Sequence, residues 1–95
     1  MSDEKASDLY QDAIAKLEAV SADFGADEAT RAEANAQITV LRDKIQDAAL
    51  DEIAARTSNL KDLSGKLNKV LGKAQGTDVS GLQALVQRVQ RAIGV

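Results

Sequence analysis

Three aspartates spaced four residues apart are the arrangement in this sequence that most suggests a cation site. Asp43, Asp47 and Asp51 would form a row on one face of a helix. A hard cation such as Ca²⁺ prefers oxygen ligands, but it takes several that converge from a loop or from different elements, and a straight row does not supply them. We therefore expect a solvated or lysine-paired face, with no bound metal or other cofactor.

Enzyme chemistry has few candidate residues in this chain. There is no Cys and no His, which excludes thiolate and imidazole catalysis. Six serines are present, but none lies in a motif that would activate its hydroxyl group. Tyr10, one of only two aromatic residues, is expected at the edge of the core with its hydroxyl in water. We expect a protein that is not an enzyme.

The elements that would position these side chains are helices. Apolar residues recur every three or four positions along nearly the whole chain of 95 residues, and there is no Pro to interrupt them. The first apolar stripe comprises Leu9, Tyr10, Ala13, Ile14, Leu17, Val20 and Phe24, and the second comprises Ala34, Ile38, Leu41, Ile45, Ala49 and Ile53. The length fits one domain, so we expect a single helical domain over residues 1–95.

The predicted fold class is all-α, a small antiparallel bundle of four helices. The predicted helices cover residues 3–24, 28–56, 60–75 and 80–93. An alternative has three helices, with one long central helix over residues 28–74, because the apolar spacing continues in phase across residues 57–59. The poor helix formers Thr57, Ser58 and Asn59 favour a hairpin bent at Ser58 instead.

Charge supports the hairpin over the long helix. Folding the chain back near residue 58 would place an acidic row beside a basic one. The predicted pairs are Asp51 with Lys66, Asp47 with Lys69 and Asp43 with Lys73. Without such partners, an acidic row spaced four residues apart repels itself.

Capping residues mark the helix ends. Ser2 or Ser7 is predicted to cap the first helix. Thr30 to Glu33 and Ser80 to Gln83 both fit the spacing of a capping box, and Asp27 is an alternative start for the second helix. Gly25 and Gly76 are predicted helix stops. Gly65 and Gly72 fall inside the third helix, which indicates either a weak helix or a close approach of another helix.

The net charge of −3 conceals two halves of opposite sign. Residues 1–55 hold 13 acidic and 5 basic residues, whereas residues 56–95 hold 2 acidic and 7 basic residues. One interpretation is that acidic helices pack beside basic helices within one molecule. The other is attraction between copies, or a basic patch offered to an acidic partner.

These patterns predict a protein that acts through protein–protein contact: an adaptor, inhibitor, chaperone-like factor or assembly subunit. The predicted partner-facing stripe is Leu82, Leu85, Val86, Val89 and Ile93, with Lys66, Lys69 and Lys73 as a secondary electrostatic patch. One alternative is a self-assembling structural or filament subunit, a homo-oligomer. Another is a coat protein on a membrane or granule surface, bound through the C-terminal helix.

Nucleic acid and a secretory route are disfavoured. The acidic total and the scarcity of aromatic residues argue against nucleic-acid binding. Residues 1–5 are polar and acidic, unlike the basic start and apolar run of a secretory signal. A cytoplasmic location is the expectation, with leaderless export left open.

Overall fold

The computed structural model describes residues 4–94, and four α-helices account for most of them. The helices are α1 (Ala6–Ala22), α2 (Glu28–Lys44), α3 (Ile53–Lys73) and α4 (Ser80–Ile93). No strand occurs within residues 4–94. The all-α four-helix prediction is therefore confirmed. The alternative of one long helix is wrong, because the chain leaves the helix after Lys44.

Short connections make successive helices antiparallel, in an up-down-up-down arrangement. α1 packs most extensively against α2, and α3 against α4. Contacts of α2 with α3 and of α1 with α4 close the bundle, and α1 meets α3 across its centre. Over the described residues the radius of gyration is 12.8 Å, close to the value of about 12 Å expected for a compact chain of this length.

The core is aliphatic and draws on every helix. Its largest fully buried side chains are Tyr10, Leu9, Leu17, Leu41, Leu60, Leu63, Leu67, Leu85, Val70 and Val89. Burying a side chain of this size contributes about 1.5–3 kcal/mol relative to leaving it exposed. This burial holds helices together that would be marginal alone at these lengths.

The bend between α2 and α3 lies at residues 45–52, so the prediction of a bend at Ser58 is wrong. Asn59 is buried inside α3, where its Nδ2 donates to the Leu50 carbonyl at 3.2 Å. The Asn59 carbonyl accepts from the Tyr10 hydroxyl at 2.6 Å. These contacts outweigh the low helix propensity of residues 57–59.

Tyr10 therefore differs from its prediction as well. Its side chain is fully buried, and its hydroxyl donates to backbone rather than to water. Burial, followed by the nearby charge of Asp62, raises the pKa of the Tyr10 hydroxyl well above its usual range. Tyr10 is a neutral donor that joins α1 to α3.

The predicted charge pairs do not form, because the bend is earlier than expected. Lys66 pairs with Asp62 on its own helix at 2.6 Å. Lys73 pairs with Glu33 at 3.1 Å. Asp47 lies in the connection and pairs with Lys44 at 3.3 Å.

Asp51 caps α1 from a distant part of the chain. Its carboxylate accepts from the Ser7 backbone N–H at 2.8 Å and from the Ser7 hydroxyl at 2.6 Å. These two hydrogen bonds, the hydroxyl bond first, hold the pKa of Asp51 below its usual range. The residue at the cap position is Lys5, which makes no side-chain cap, so Ser7 is not the cap. Ser2 lies outside the described residues.

Neither predicted capping box is used as such. Thr30 is buried within α2, where its hydroxyl donates to the Lys73 carbonyl at 2.7 Å and accepts from the Gln75 N–H at 3.1 Å. Thr30 thus satisfies the end of α3 rather than the start of α2. At α4 the Ser80 N–H donates to Asp78 Oδ1 at 2.9 Å, so Asp78 supplies the side-chain contact there.

Candidate interaction surface

The stripe on α4 that was predicted to face a partner faces the rest of the bundle instead. Leu82, Leu85, Val86 and Val89 are buried, and Ile93 is partly buried against the same core. α1 and α3 pack against α4 and cover this stripe. The stripe would reach a partner only if α4 left the bundle.

Polar contacts hold α4 in place at its edges. Arg88 forms salt bridges with Glu4 and with Asp12 on the α1 side. Burial raises the pKa of Asp12, but hydrogen bonds from Lys16 and Arg88, with their charges, outweigh it and leave this pKa below its usual value. The hydrogen bonds of Arg88 to Glu4 and then Asp12 raise the pKa of its guanidinium, which stays cationic.

Arg56 adds a second link at the end of the bundle where α4 finishes. Its guanidinium donates to the Ala92 carbonyl at 2.9 Å and to the Glu4 carbonyl at 2.6 Å. One side chain of α3 therefore ties the last turn of α4 to the residues that precede α1.

The predicted lysine patch is only partly available. The charges of Lys66 and Lys73 are balanced by Asp62 and Glu33 in the pairs described above. Lys69 is exposed and makes no salt bridge within residues 4–94. Of the three lysines, it offers the freest charge.

Phe24 is the most unusual side chain on the surface. It lies in the α1–α2 connection and is 92% exposed, whereas the other aromatic residue, Tyr10, is 0% exposed. The apolar spacing of α1 placed Phe24 on the core face, but α1 ends at Ala22, so the helical spacing no longer applies at residue 24. The sequence signal for this was Gly25, which directly follows Phe24 and lies in the α1–α2 connection.

Phe24 lies in one of two connections that contact each other, residues 23–27 and residues 74–79. We call these two connections together the loop platform. The Asp27 N–H donates to the Gln75 carbonyl at 2.9 Å. The Thr77 hydroxyl donates to Asp23 Oδ2 at 2.5 Å. Within the first connection, the Gly25 N–H donates to Asp23 Oδ1 at 2.9 Å. Phe24 is therefore exposed on a connection that hydrogen bonds hold in place.

Two glycines allow the connections of the loop platform to meet. Gly76 has a φ of +76°, a backbone conformation that residues other than glycine rarely adopt. A Cβ atom on Gly76 would lie 2.3 Å from the Gly25 carbonyl oxygen, which is too close for real atoms. Both predicted helix stops are therefore the points at which the two connections pack, beyond the ends of α1 and α3.

The loop platform and the first residue of α2 are strongly acidic. Asp23, Asp27, Glu28 and Asp78 lie in these segments, which contain no Lys or Arg. The hydrogen bond from Thr77, followed by that from Gly25, holds the pKa of Asp23 below its usual value. Hydrogen bonds from Ser80, the backbone N–H first, lower the pKa of Asp78 likewise. Asp23 and Asp78 are therefore fully charged at neutral pH.

Two further apolar side chains are exposed away from the loop platform. Ile53, the first residue of α3, is 94% exposed at the opposite end of the bundle. Val40 on α2 is 46% exposed. Single exposed apolar residues are common, so what distinguishes Phe24 is its aromatic ring, on a connection that is hydrogen-bonded to a second connection.

The aspartate row that suggested a cation site does not exist in the folded chain. Asp43 belongs to α2, but Asp47 and Asp51 lie in the connection after it. Their carboxylates accept hydrogen bonds from Ala49 and Ser7 respectively. Residues 4–94 contain no cluster of three or more acidic, His or Cys side chains suited to a metal ion.

Comparison with known proteins gives no relative: no protein-family model, curated protein or solved structure matches this chain. Among the described helices, none has the length and apolar character needed to cross a membrane.

Proposed function

We propose that this protein acts through protein–protein contact, as an adaptor, inhibitor, chaperone-like factor or assembly subunit, and that the loop platform is its contact surface. The observation that carries the proposal is the exposure of Phe24, 92% in a chain whose other large side chains mostly lie in the core. The proposal moves the contact from the α4 stripe to the end of the bundle.

The energetics of binding favour such a residue. Aromatic side chains, Phe among them, are enriched in the buried core of protein interfaces. Covering a Phe side chain contributes about 1.5–3 kcal/mol. Because Asp23, Gly25 and Thr77 already fix the connection, little conformational entropy would be lost on binding.

Site-specific photo-crosslinking tests the proposal. A benzophenone amino acid replaces Phe24 in the cell that makes the protein, and a second variant carries it at Ile53, which is equally exposed at the other end. We expect a discrete crosslinked product of defined mass from position 24 and not from position 53. Products from position 53 alone, or from neither position, would refute the loop platform as the contact surface.

A further inference from the structure

Two lysines and two glycines form a basic strip along the outward face of α3. Lys61, Gly65, Lys69 and Gly72 are all exposed, and their spacing places them on one side of the helix. A Cβ atom added to Gly65 or Gly72 would meet nothing within 4 Å. The idea that another helix of the bundle approaches these glycines closely is therefore wrong. We call these four residues the α3 furrow.

The two lysines of the α3 furrow, Lys61 and Lys69, lie outside the salt bridges of the described residues. Lys69 has only a longer-range attraction to Glu33, whose carboxylate already pairs with Lys73. The missing Cβ atoms of the two glycines leave depth between the lysine side chains.

We propose that the loop platform of one copy docks on the α3 furrow of a second copy. The loop platform is acidic with no basic residue, and the α3 furrow is basic with no acidic residue. Phe24 lies over the glycines of the α3 furrow, while Asp27 and Asp78 face Lys61 and Lys69. The charge difference between the two halves of the chain then orients one copy relative to the next. This inference rests on the proposed use of the loop platform.

The geometry of such a contact determines what it builds. The loop platform is at an end of the bundle and the α3 furrow is on its side, so the two surfaces on one molecule are different. A contact between different surfaces leaves one of each free at the ends and continues into an open chain unless the rotation closes a ring. The protein would thus form assemblies larger than a dimer.

Attraction between exposed charges also predicts a dependence on salt. The Debye length is about 30 Å at 0.01 M ionic strength but only about 3 Å at 1 M. We expect association to be strongest at low salt and to weaken at least tenfold in affinity at high salt.

Two blocking variants test the contact by light scattering coupled to gel filtration. Phe24→Ser disables the loop platform by removing the ring without adding charge, and the pair Lys61→Glu with Lys69→Glu disables the α3 furrow. All three residues are exposed, so both variants should keep the helical circular-dichroism spectrum of the parent. We expect the parent to grow in mass with concentration at low salt, and each variant alone to have the mass of one chain.

Mixing the two variants gives the decisive result. The intact loop platform of the lysine variant meets the intact α3 furrow of the Phe24 variant, and both other surfaces are disabled. We expect a species of two chains that grows no further. A parent that keeps the mass of one chain at low salt and high concentration would overturn the inference. So would a mixture that stays monomeric, or a Phe24→Ser variant that still associates.

The crosslinking experiment separates this inference from the proposed function. A product at position 24 with a second copy of the chain supports both. A product only with a different protein keeps the proposed function and overturns self-association. As a matched control, Ile53→Ser removes an apolar side chain at an equally exposed site, and it should leave association unchanged.

Discussion

The α4 stripe is buried and Phe24 of the loop platform is exposed, the reverse of what their sequences suggest. Leu85, at the centre of the α4 stripe, is 0% exposed, whereas Phe24, which continues the spacing of α1, is 92% exposed. Amphipathic spacing shows that a face will be covered, but not whether the same chain covers it. Helix ends matter more, since Phe24, only two residues past the end of α1, points to solvent.

Truncating the two residues should give the largest difference in stability. Leu85→Ala removes a fully buried side chain from the α4 stripe and should lower the free energy of unfolding by about 2–5 kcal/mol. Phe24→Ala should change it by no more than about 0.5 kcal/mol. Urea denaturation measures both. A cost above 1 kcal/mol for Phe24→Ala would mean that Phe24 packs inward and that the contrast is false.

Removing the Thr30 hydroxyl tests whether its two hydrogen bonds stabilise the loop platform. Thr30→Val keeps the shape of the side chain but leaves the Lys73 carbonyl and the Gln75 N–H without their partner. We expect a loss of about 1–3 kcal/mol in unfolding free energy, and faster hydrogen exchange at the Asp27 amide, which donates to Gln75.

A matched control for Thr30→Val is Thr39→Val. Thr39 is exposed, and its hydroxyl contacts only the Asn35 carbonyl of its own helix, at 3.2 Å. This variant should leave both stability and exchange at Asp27 nearly unchanged. Equal effects from the two variants would contradict the special role of Thr30.

Gly65→Ala should separate folding from association. The new methyl group enters open space in the middle of α3, so it should raise the free energy of unfolding by about 0.8–1.0 kcal/mol through helix propensity. It also fills part of the α3 furrow and should weaken self-association. Gly76→Ala is the contrasting variant, because its positive φ and the nearby Gly25 carbonyl make it destabilising.

Lowering the pH should destabilise the packing of α4 on α1, and this is the smallest of the expected effects. Because the pKa of Asp12 is lower in the folded state, the Arg88–Asp12 pair contributes fully above the unfolded pKa of about 3.9. In the folded state the pKa of Asp12 is below this value, and the contribution of the pair is lost as the pH falls through that lower pKa. Both side chains are about a third exposed, so each such pair contributes about 0.2–1 kcal/mol.

The measurement for this pair is denaturation of Arg88→Met across pH. The variant should lose stability at pH 7 and differ less from the parent as the pH falls below about 4. Arg91→Met is the control, since Arg91 is exposed and forms no salt bridge within residues 4–94. A constant difference at all pH values would show that Arg88 acts through packing and not through charge.

The sequence predicted the four helices well where apolar spacing is long and unbroken, as in α4, whose bounds of 80–93 match those of the structure. It failed at the α2–α3 bend because Asn59 is stabilised inside a helix by Leu50 and Tyr10, contacts that are distant in sequence. It failed at Phe24 because the apolar spacing was followed two residues past the end of α1. The predicted Asp–Lys pairs were wrong because they depended on a bend at Ser58.

The double donation from Arg56 has a practical consequence for handling the molecule. Because one guanidinium contacts both Glu4 and Ala92, the start and the finish of the described chain lie side by side, a helix length away from Phe24. A probe attached near Glu4 or Ala92 would therefore lie at the end of the bundle opposite the loop platform, and it would leave Phe24 exposed.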